Sequence, residues 1–165
     1  PDMAPLAASR GAPVVLMHNR SRPGHAEIDA RLGGQYIPPA YGDLLGEVSG
    51  ELATLAQSAL DAGIDRDQVI LDPGLGFGKT VDQNLALINH LDHFRALGYP
   101  LLAGASRKSF IGKVLDVPVD KRVFGTAATV ALAIIRGADI VRVHDVAEML
   151  QVARMTDAML RAPLI

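Results

Sequence analysis

Four short apolar runs, each followed by sequence with helical periodicity, constrain the fold of this chain more than any other feature. The runs lie at residues 14–17, 69–71, 101–103 and 140–143. Short continuous runs of this kind are typical of strands that are buried on both faces of a parallel sheet. Four strand–helix units therefore predict an α/β fold in which helices cover a parallel sheet.

The segments after the runs predict the helices. Apolar residues recur every three or four positions at 44–60 and 147–160, as on the buried face of a helix. Thr80 and Gln83 have the spacing of a capping box, and Gly98 lies where a helix-ending glycine belongs. A further helix is predicted at 122–136, where the small residues Gly125, Ala127, Ala128 and Ala131 favour close packing against the sheet.

One connection is unusually long. Residues 19–41 are rich in Gly, Pro and Arg and separate the first strand from the first long helix. Connections of this length are uncommon in a compact domain. The segment is predicted to be either a functional loop or partly disordered.

Chain length decides between two parallel-sheet architectures only in part. The 165 residues suit one domain, with an open doubly wound sheet or a (βα)8 barrel as candidates. Four strands cannot close such a barrel, so the barrel interpretation requires that about half of it is missing. The chain starts at Pro1 without an initiator methionine, and this favours a fragment.

Composition excludes several functions. The chain has no cysteine, so disulfides, thiolate metal sites and cysteine nucleophiles are excluded. The net charge is −2 and no basic run is present, which argues against nucleic acid as a partner. The longest apolar stretch, 127–135, is too short to span a bilayer. A cytoplasmic protein without a membrane partner is predicted.

The carboxyl ends of parallel strands form the working surface of both architectures, and the second strand delivers Asp72 there. A carboxylate can accept two N–H donors from a 2-amino-4-oxo ring edge. The alternative is an aspartate that only caps the glycine-rich turn after it. The turn also matches a Walker A loop at every defined position but one. Pro73 stands where the first glycine should be, and proline has no N–H for a phosphate.

The third strand leads into Gly104 and the turn Ser106–Arg107–Lys108–Ser109. Cations and hydroxyl groups at a strand end that opens a helix suit an anionic or carbonyl-bearing ligand. The alternative is a solvated basic turn, since Arg and Lys are usually exposed.

The fourth strand carries the sharpest signal, Arg142 and His144. Side chains alternate along a strand, so these two point the same way, inward or into the mouth of the sheet. A buried arginine is costly unless it binds an anion, and the pair precedes a helix N-terminus. The alternative is that Arg142 pairs with a carboxylate of the protein, such as Asp145.

Three weaker features complete the site prediction. Met17 ends the first strand and offers an apolar contact for a ring, with core packing as the alternative. Phe77 is expected to be exposed on the glycine turn, where stacking on an aromatic ligand and local packing are equally plausible. His90 and His93 have a spacing that suits a metal, but no third ligand is evident and a solvated helix face is favoured.

The motifs Asp72–Pro–Gly–Leu–Gly–Phe–Gly–Lys79, Gly104–Ala–Ser–Arg–Lys–Ser109 and Arg142–Val–His–Asp–Val146 resemble the dihydropteroate synthases of the pterin-binding family. The resemblance covers essentially the whole chain. It implies that residues 1–165 are a single, N-terminally truncated pterin-binding domain. The four strands would then be strands 5 to 8 of a (βα)8 barrel, with residues 3–10 as the helix before the fifth.

The resemblance also implies an activity and a set of site residues. The family condenses 4-aminobenzoate with 6-hydroxymethyl-7,8-dihydropterin diphosphate, releasing diphosphate and 7,8-dihydropteroate. By position, Lys108, Arg142 and His144 would act in catalysis. Substrate would contact all three of them and five further residues: Asp72, Phe77, Ser106, Met17 and Gly104. Mg2+ and a homodimer are expected of the intact enzyme, with the protein ligand of Mg2+ in the missing half.

Two other functions stay open from the sequence. A folate-binding domain of a corrinoid methyltransferase shares the barrel, but it should lack the Ser106–Ser109 turn and the Arg142/His144 pair. A half-barrel that only binds or assembles with another half is the non-enzymatic alternative, because open sheet edges favour pairing. If the chain is part of a dihydropteroate synthase, the fragment alone is expected to be inactive.

Overall fold

The structure is a computed structural model that describes residues 3–22, 24, 26–29, 31–36 and 40–163. Three short 3-10 turns, at Arg66–Gln68, Leu91–Leu97 and Val119–Lys121, connect the main elements. Those elements are, in chain order, α1 (Met3–Arg10), β1 (Val14–Met17), β2 (Ala26–Asp29), β3 (Gly33–Tyr36), α2 (Leu44–Asp61), β4 (Val69–Asp72), α3 (Val81–Asn89), β5 (Leu102–Ala103), α4 (Ser109–Leu115), α5 (Val123–Ile135), β6 (Ile140–Val141) and α6 (Val146–Arg161).

Four parallel strands lie side by side in the order β1, β4, β5, β6. Met17 of β1 is opposite Asp72 of β4, so these two strands end level with each other. A parallel bridge between Leu71 and Leu101 joins β4 to β5, and β5 pairs in parallel with β6. Among the described strands the spatial order follows the chain without reversal. This is the order of successive barrel strands, whereas a doubly wound sheet reverses direction at its switch point.

The helices form for the reasons that the sequence indicated. Asp43 caps α2, accepting a hydrogen bond from the Gly46 N–H, and the buried face of α2 includes Val48 and Leu52. Thr80 and Gln83 make the predicted capping box at the start of α3. Gly98 adopts a left-handed conformation, although it ends the 3-10 turn after α3 and not α3 itself.

The predicted packing of α5 is wrong in detail. Its buried residues are Thr126, Val130 and Ala133, while Ala128 is exposed. A Cβ atom at Gly125 would lie 2.3 Å from Cγ2 of Ile111 in α4. The small residues therefore admit a neighbouring helix. The helical sequence that follows the Ser106–Ser109 turn forms α4, and this helix lies against Gly125.

The long connection contains a β-hairpin where a loop was predicted. Strands β2 and β3 pair antiparallel, with Asp29 opposite Gly33. The hairpin contacts the end of α4 and the start of α5, because the Arg31 guanidinium pairs with Asp116 and the Leu32 carbonyl accepts a 2.8 Å hydrogen bond from Arg122. Residues 23, 25, 30 and 37–39 of this connection lie outside the described residues.

The last strand is shorter than the predicted 140–143, since β6 ends at Val141. Arg142 still joins the sheet through its backbone N–H, which donates to the Ala103 carbonyl at 3.0 Å. Within the described ranges, no helix is long and apolar enough to cross a membrane.

Candidate active site

A cavity of about 350 Å³ opens at the carboxyl ends of the strands. It brings together residues from three separate strand–helix turns, as the sequence predicted. Its lining residues are Phe77, Gly104, Ser106, Lys108, Arg142, Val143 and His144. Six of the eight predicted site residues therefore face one space, and the other two, Asp72 and Met17, do not line it.

Asp72 is the last residue of β4 and is 2% exposed. Its Oδ1 accepts a 2.7 Å hydrogen bond from the Gly74 N–H, so the carboxylate does cap the turn. Burial raises the pKa of Asp72, while the positive charges of Lys108, Arg142 and Lys79 act in the opposite direction. The capping interpretation is thus correct for one oxygen, and the three cations stabilise the ionised form that a ring edge with two donors would bind.

Lys108 points into the site and is not part of a solvated turn. Its ammonium donates to the Leu75 carbonyl and lies 4.3 Å from the centre of the Phe77 ring. Burial lowers the pKa of Lys108 to about 8, with Asp72 raising it and Arg142 lowering it further. Phe77, predicted to be exposed, is half-buried because this ammonium covers its ring.

The Arg107 side chain points away from the cavity, opposite to that of Lys108. The Arg107 backbone is left-handed, with φ of 56°, which turns the side chain outward to Asp145. The two groups form a double hydrogen bond, with Arg107 Nε 2.9 Å from Asp145 Oδ2. The alternative pairing of Asp145 with Arg142 is therefore wrong, and Arg142 remains directed at the cavity.

Ser106 joins the third and fourth strand ends. Its Oγ is 2.9 Å from Nδ1 of His144 and accepts the His144 backbone N–H at 3.1 Å. On the other side, a Cβ atom at Gly104 would lie 3.1 Å from Nη2 of Arg142. Gly104 thus leaves the room that the guanidinium occupies, and Ser106 orients the imidazole.

Arg142 and His144 were predicted to be buried, and they are exposed. The physical reason is that β6 is paired only with β5 among the described strands and ends before Arg142. The prediction that the two side chains serve the same space is confirmed by the cavity they line.

Met17 lies apart from this cavity. It lines a second space of about 290 Å³ together with His18, Asn19, Glu51, Thr54 and Leu55. Its register opposite Asp72 places it at the same edge of the sheet. A contact between Met17 and substrate stays a prediction.

Two buried cations escaped the sequence analysis. Lys79 and Arg122 are 2% and 3% exposed. Arg122 donates 2.8 Å hydrogen bonds to the carbonyls of Arg107 and Leu32, so it braces the turn that carries Lys108. Lys79 was quoted only as the end of the glycine-rich motif, without a role of its own, and nothing in the local pattern around Arg122 indicates burial.

No group of three or more His, Cys, Asp or Glu side chains that could hold a metal ion occurs among the residues described. His90 and His93 are both exposed, as favoured from the sequence. Binding of Mg2+ stays a prediction.

Comparisons with known proteins agree with this geometry. The sequence profile of the family described as pterin binding enzyme matches residues 1–144. The dihydropteroate synthase of Bacillus subtilis is 46% identical over 160 residues, which are 97% of this chain and 50% of that protein. The chain thus spans about half the length of the curated relatives it matches.

Solved structures show the same relationship in three dimensions. The Yersinia pestis enzyme with a pterine–sulfa conjugate superimposes with a TM-score of 0.85 at 34% identity, covering 99% of this chain and 57% of that one. The Xanthomonas albilineans dihydropteroate synthase in complex with 7,8-dihydropteroate gives 0.84 at 35% identity, covering 97% and 55%. With its fold, its strand-end residues and its sequence profile all in agreement, the chain belongs to the pterin-binding enzyme family.

Proposed function

We propose that the protein carrying this chain is a transferase of folate biosynthesis that makes 7,8-dihydropteroate from 4-aminobenzoate and 6-hydroxymethyl-7,8-dihydropterin diphosphate. The observation that carries this proposal is the cavity where Lys108, Arg142 and His144 meet beside Asp72. The chemistry needs a carboxylate for the pterin edge and cations for a leaving diphosphate, and both lie within this one site. The names of the relatives support the same activity.

Each side chain has a role that follows from its chemistry. Asp72 accepts the N–H donors of the pterin ring, while Lys108 holds the ring from the other side. Arg142 and the Ser106-oriented His144 bind the diphosphate as negative charge develops on it. Phe77 and Ser106 contact the aminobenzoate.

The proposed course is dissociative. The bond between the pterin methylene carbon and the diphosphate oxygen breaks, and its electron pair leaves with the diphosphate. The amine nitrogen of 4-aminobenzoate then donates its lone pair to the methylene cation and loses a proton. Preorganised cations accelerate the first step because they are already directed at the leaving group.

Magnesium belongs to this proposal only as an expectation from the family. When bound, it would neutralise part of the diphosphate charge. Its protein ligand is expected outside this chain, and none of the steps above involves it. A cytoplasmic location is part of the same proposal.

We further propose that the chain forms strands 5 to 8 of the barrel, as a single domain lacking its N-terminal half. The relatives are about twice as long, and the outer edges of β1 and β6 have no strand partner among the described residues.

The experiment that tests the function measures dihydropteroate formation from the two substrates by the protein translated from its complete reading frame. Turnover is expected there, with a sulfonamide competing with 4-aminobenzoate, and none from the 165-residue chain alone. Product from the isolated chain would contradict the half-site proposal. Calorimetric binding of methyltetrahydrofolate in preference to pterin diphosphate would instead indicate a methyltransferase.

The fall of kcat/KM at alkaline pH is expected to follow the deprotonation of Lys108. Burial places its pKa at about 8, and only the protonated ammonium can hold the ring and balance Asp72. Since the charged form is lost as the pH rises through the pKa, kcat/KM should fall above about pH 8. This fall should disappear in Lys108→Gln, at low overall activity. A fall that persists in this variant would mean that another group titrates.

We propose that the intact enzyme is a homodimer formed through α4 and α5. Phe124 is 83% exposed, and beside it runs an apolar groove of about 190 Å³ that includes Val114, Leu115 and Ala128. A protruding ring and a groove on the same face suit a two-fold interface, in which each copy inserts into the other.

A charge at position 124 is expected to dissociate that dimer. Burying a phenylalanine contributes about 1.5–3 kcal/mol, twice per symmetric interface. Phe124→Asp should therefore weaken association by about a hundredfold or more, whereas Phe124→Leu should retain it. Light scattering after size exclusion measures the mass, and a dimeric Phe124→Asp protein would rule out this face.

A further inference from the structure

The turn that follows β4 is held together from inside by one buried side chain, Lys79. Its Nζ lies 2.9 Å from the Gly74 carbonyl, 3.0 Å from the Phe77 carbonyl and 3.0 Å from Nδ1 of His18. An ammonium group has three N–H donors, and three acceptors surround this one. Lys79 is 2% exposed.

This arrangement is costly in free energy. No carboxylate lies within ion-pair distance of Lys79 among the described contacts, and burial lowers the pKa of Lys79 to about 7. A buried charge without a paired carboxylate is a poor way to stabilise a fold. Its contribution must then come from where it holds the backbone.

The two carbonyls that Lys79 binds belong to the residues that support the proposed substrate contacts. Gly74 donates its N–H to Oδ1 of Asp72 and accepts the Phe77 N–H at 3.1 Å. Phe77 carries the ring that faces Lys108. A displacement of either carbonyl would therefore move the Asp72 carboxylate or the Phe77 ring.

His18 extends the set to the neighbouring strand. Burial and the adjacent Lys79 lower the pKa of His18 to about 4, so the imidazole is neutral. If Nδ1 of His18 accepts a hydrogen bond from Lys79, the imidazole proton is on Nε2. Nε2 lies 3.1 Å from Oε2 of Glu51, but the two atoms are not aligned for a hydrogen bond. Glu51 is in turn held by Arg20. The carboxylate thus favours the tautomer that Lys79 requires.

We propose that Lys79 is a positioning residue for substrate binding. Through the carbonyls of Gly74 and Phe77 it fixes the positions of the Asp72 carboxylate and the Phe77 ring, and His18 in turn fixes the orientation of the Lys79 ammonium. The inference rests on the proposed function. It differs from a purely structural role because removal of Lys79 should weaken binding more than it weakens folding.

The first test is Lys79→Met in the intact enzyme. The variant keeps the apolar stem and removes the three donors. We expect KM for both substrates and the calorimetric Kd for pterin diphosphate to rise about tenfold or more, since the unpaired carbonyls no longer hold the turn. The matched control is Lys121→Met, which changes an exposed lysine. A folded Lys79→Met protein with wild-type KM and Kd would overturn the inference.

The second test needs no variant of Lys79. Nitrogen-15 spectra of the wild-type imidazole are expected to show His18 protonated at Nε2 and not at Nδ1. Protonation at Nδ1 would remove the acceptor and overturn the proposed arrangement, even if Lys79→Met fails to fold.

A mutant cycle with His18→Leu tests whether the two residues act together. The double variant is expected to bind pterin diphosphate about as weakly as Lys79→Met alone, because each change breaks the same set of hydrogen bonds. A double variant whose loss of affinity for pterin diphosphate equals the product of the two single losses would overturn the role of His18. A wild-type enzyme that neither binds pterin diphosphate nor makes dihydropteroate would contradict the proposed function instead, which separates the two failures.

Discussion

Replacing Asp72 by asparagine is expected to lower kcat/KM for dihydropteroate formation by about 10²–10⁴-fold. The substitution preserves the shape of the side chain and keeps an oxygen for the Gly74 N–H. It replaces the other acceptor with a donor that faces the N–H groups of the pterin ring. Hydrogen bonds to a charged group contribute about 1.5–3 kcal/mol each, and two of them account for the expected loss.

The same substitution should change the pH profile. The Asp72 carboxylate raises the pKa of Lys108. Without the carboxylate the pKa of Lys108 should drop below about 8, because burial and the Arg142 charge then act on it without opposition. The residual activity of Asp72→Asn is therefore expected to fall at lower pH than that of the wild type.

The control for this prediction is Asp67→Asn. Asp67 is an exposed aspartate in the 3-10 turn before β4, at the opposite end of the same strand. It should leave both kcat/KM and the pH profile unchanged. Steady-state kinetics with the pterin substrate varied would decide the matter, and a loss of less than about tenfold in Asp72→Asn would mean that the pterin edge is bound elsewhere.

Regular, local patterns account for most of what could be predicted from the sequence. The apolar runs located the parallel strands, and the capping box at Thr80 and Gln83 formed as expected. Both signals depend on residues close together in the chain. The convergence of Lys108, Arg142 and His144 also followed, since the carboxyl ends of neighbouring parallel strands must meet at one edge.

The predictions that failed have a different origin, because each feature depends on contacts between residues that are distant in the sequence. The hairpin of β2 and β3 is held by the contacts of Arg31 with Asp116 and of Leu32 with Arg122, which no local pattern reveals. Arg142 and His144 were expected to be buried on the strength of their neighbours in sequence. Their exposure depends on which strands lie beside β6, and that is a property of the whole sheet.

Lys79 illustrates why a rejected motif can still carry information. The Walker A comparison failed at Pro73, and no role was predicted for Lys79 itself. In the structure that lysine turns inward and binds the carbonyls of its own turn. A lysine that closes a glycine-rich turn has two uses, binding an anion outside the turn or ordering carbonyls within it, and only the fold distinguishes them.

Replacing Gly74 by alanine is expected to be the most destabilising single substitution in the site. Gly74 has φ of +70°, and a Cβ atom there would lie 1.8 Å from the carbonyl oxygen of His18. The backbone strain costs about 1–2 kcal/mol and the collision about 1–3 kcal/mol more. The free energy of unfolding should therefore fall by about 2–5 kcal/mol, a large part of the stability of an ordinary domain.

A matched substitution separates the two causes. Gly33 has φ of +77°, and no described atom lies within 4 Å of the position its Cβ would take. Gly33→Ala should consequently show the backbone strain alone. Urea unfolding of both variants measures the difference, and equal losses would mean that β1 and the turn after β4 are not in the close contact described.

The collision at Gly74 has a consequence for binding as well as for folding. The atom it strikes belongs to His18, whose side chain contacts Lys79, and Gly74 itself supports Asp72. Any relaxation that relieves the clash must separate β1 from the turn and so displace the carboxylate. The Gly74→Ala protein that remains folded should therefore bind pterin diphosphate more weakly than Gly33→Ala at every urea concentration where both are native. Equal affinities would show that the turn can move away from β1 without carrying Asp72 with it.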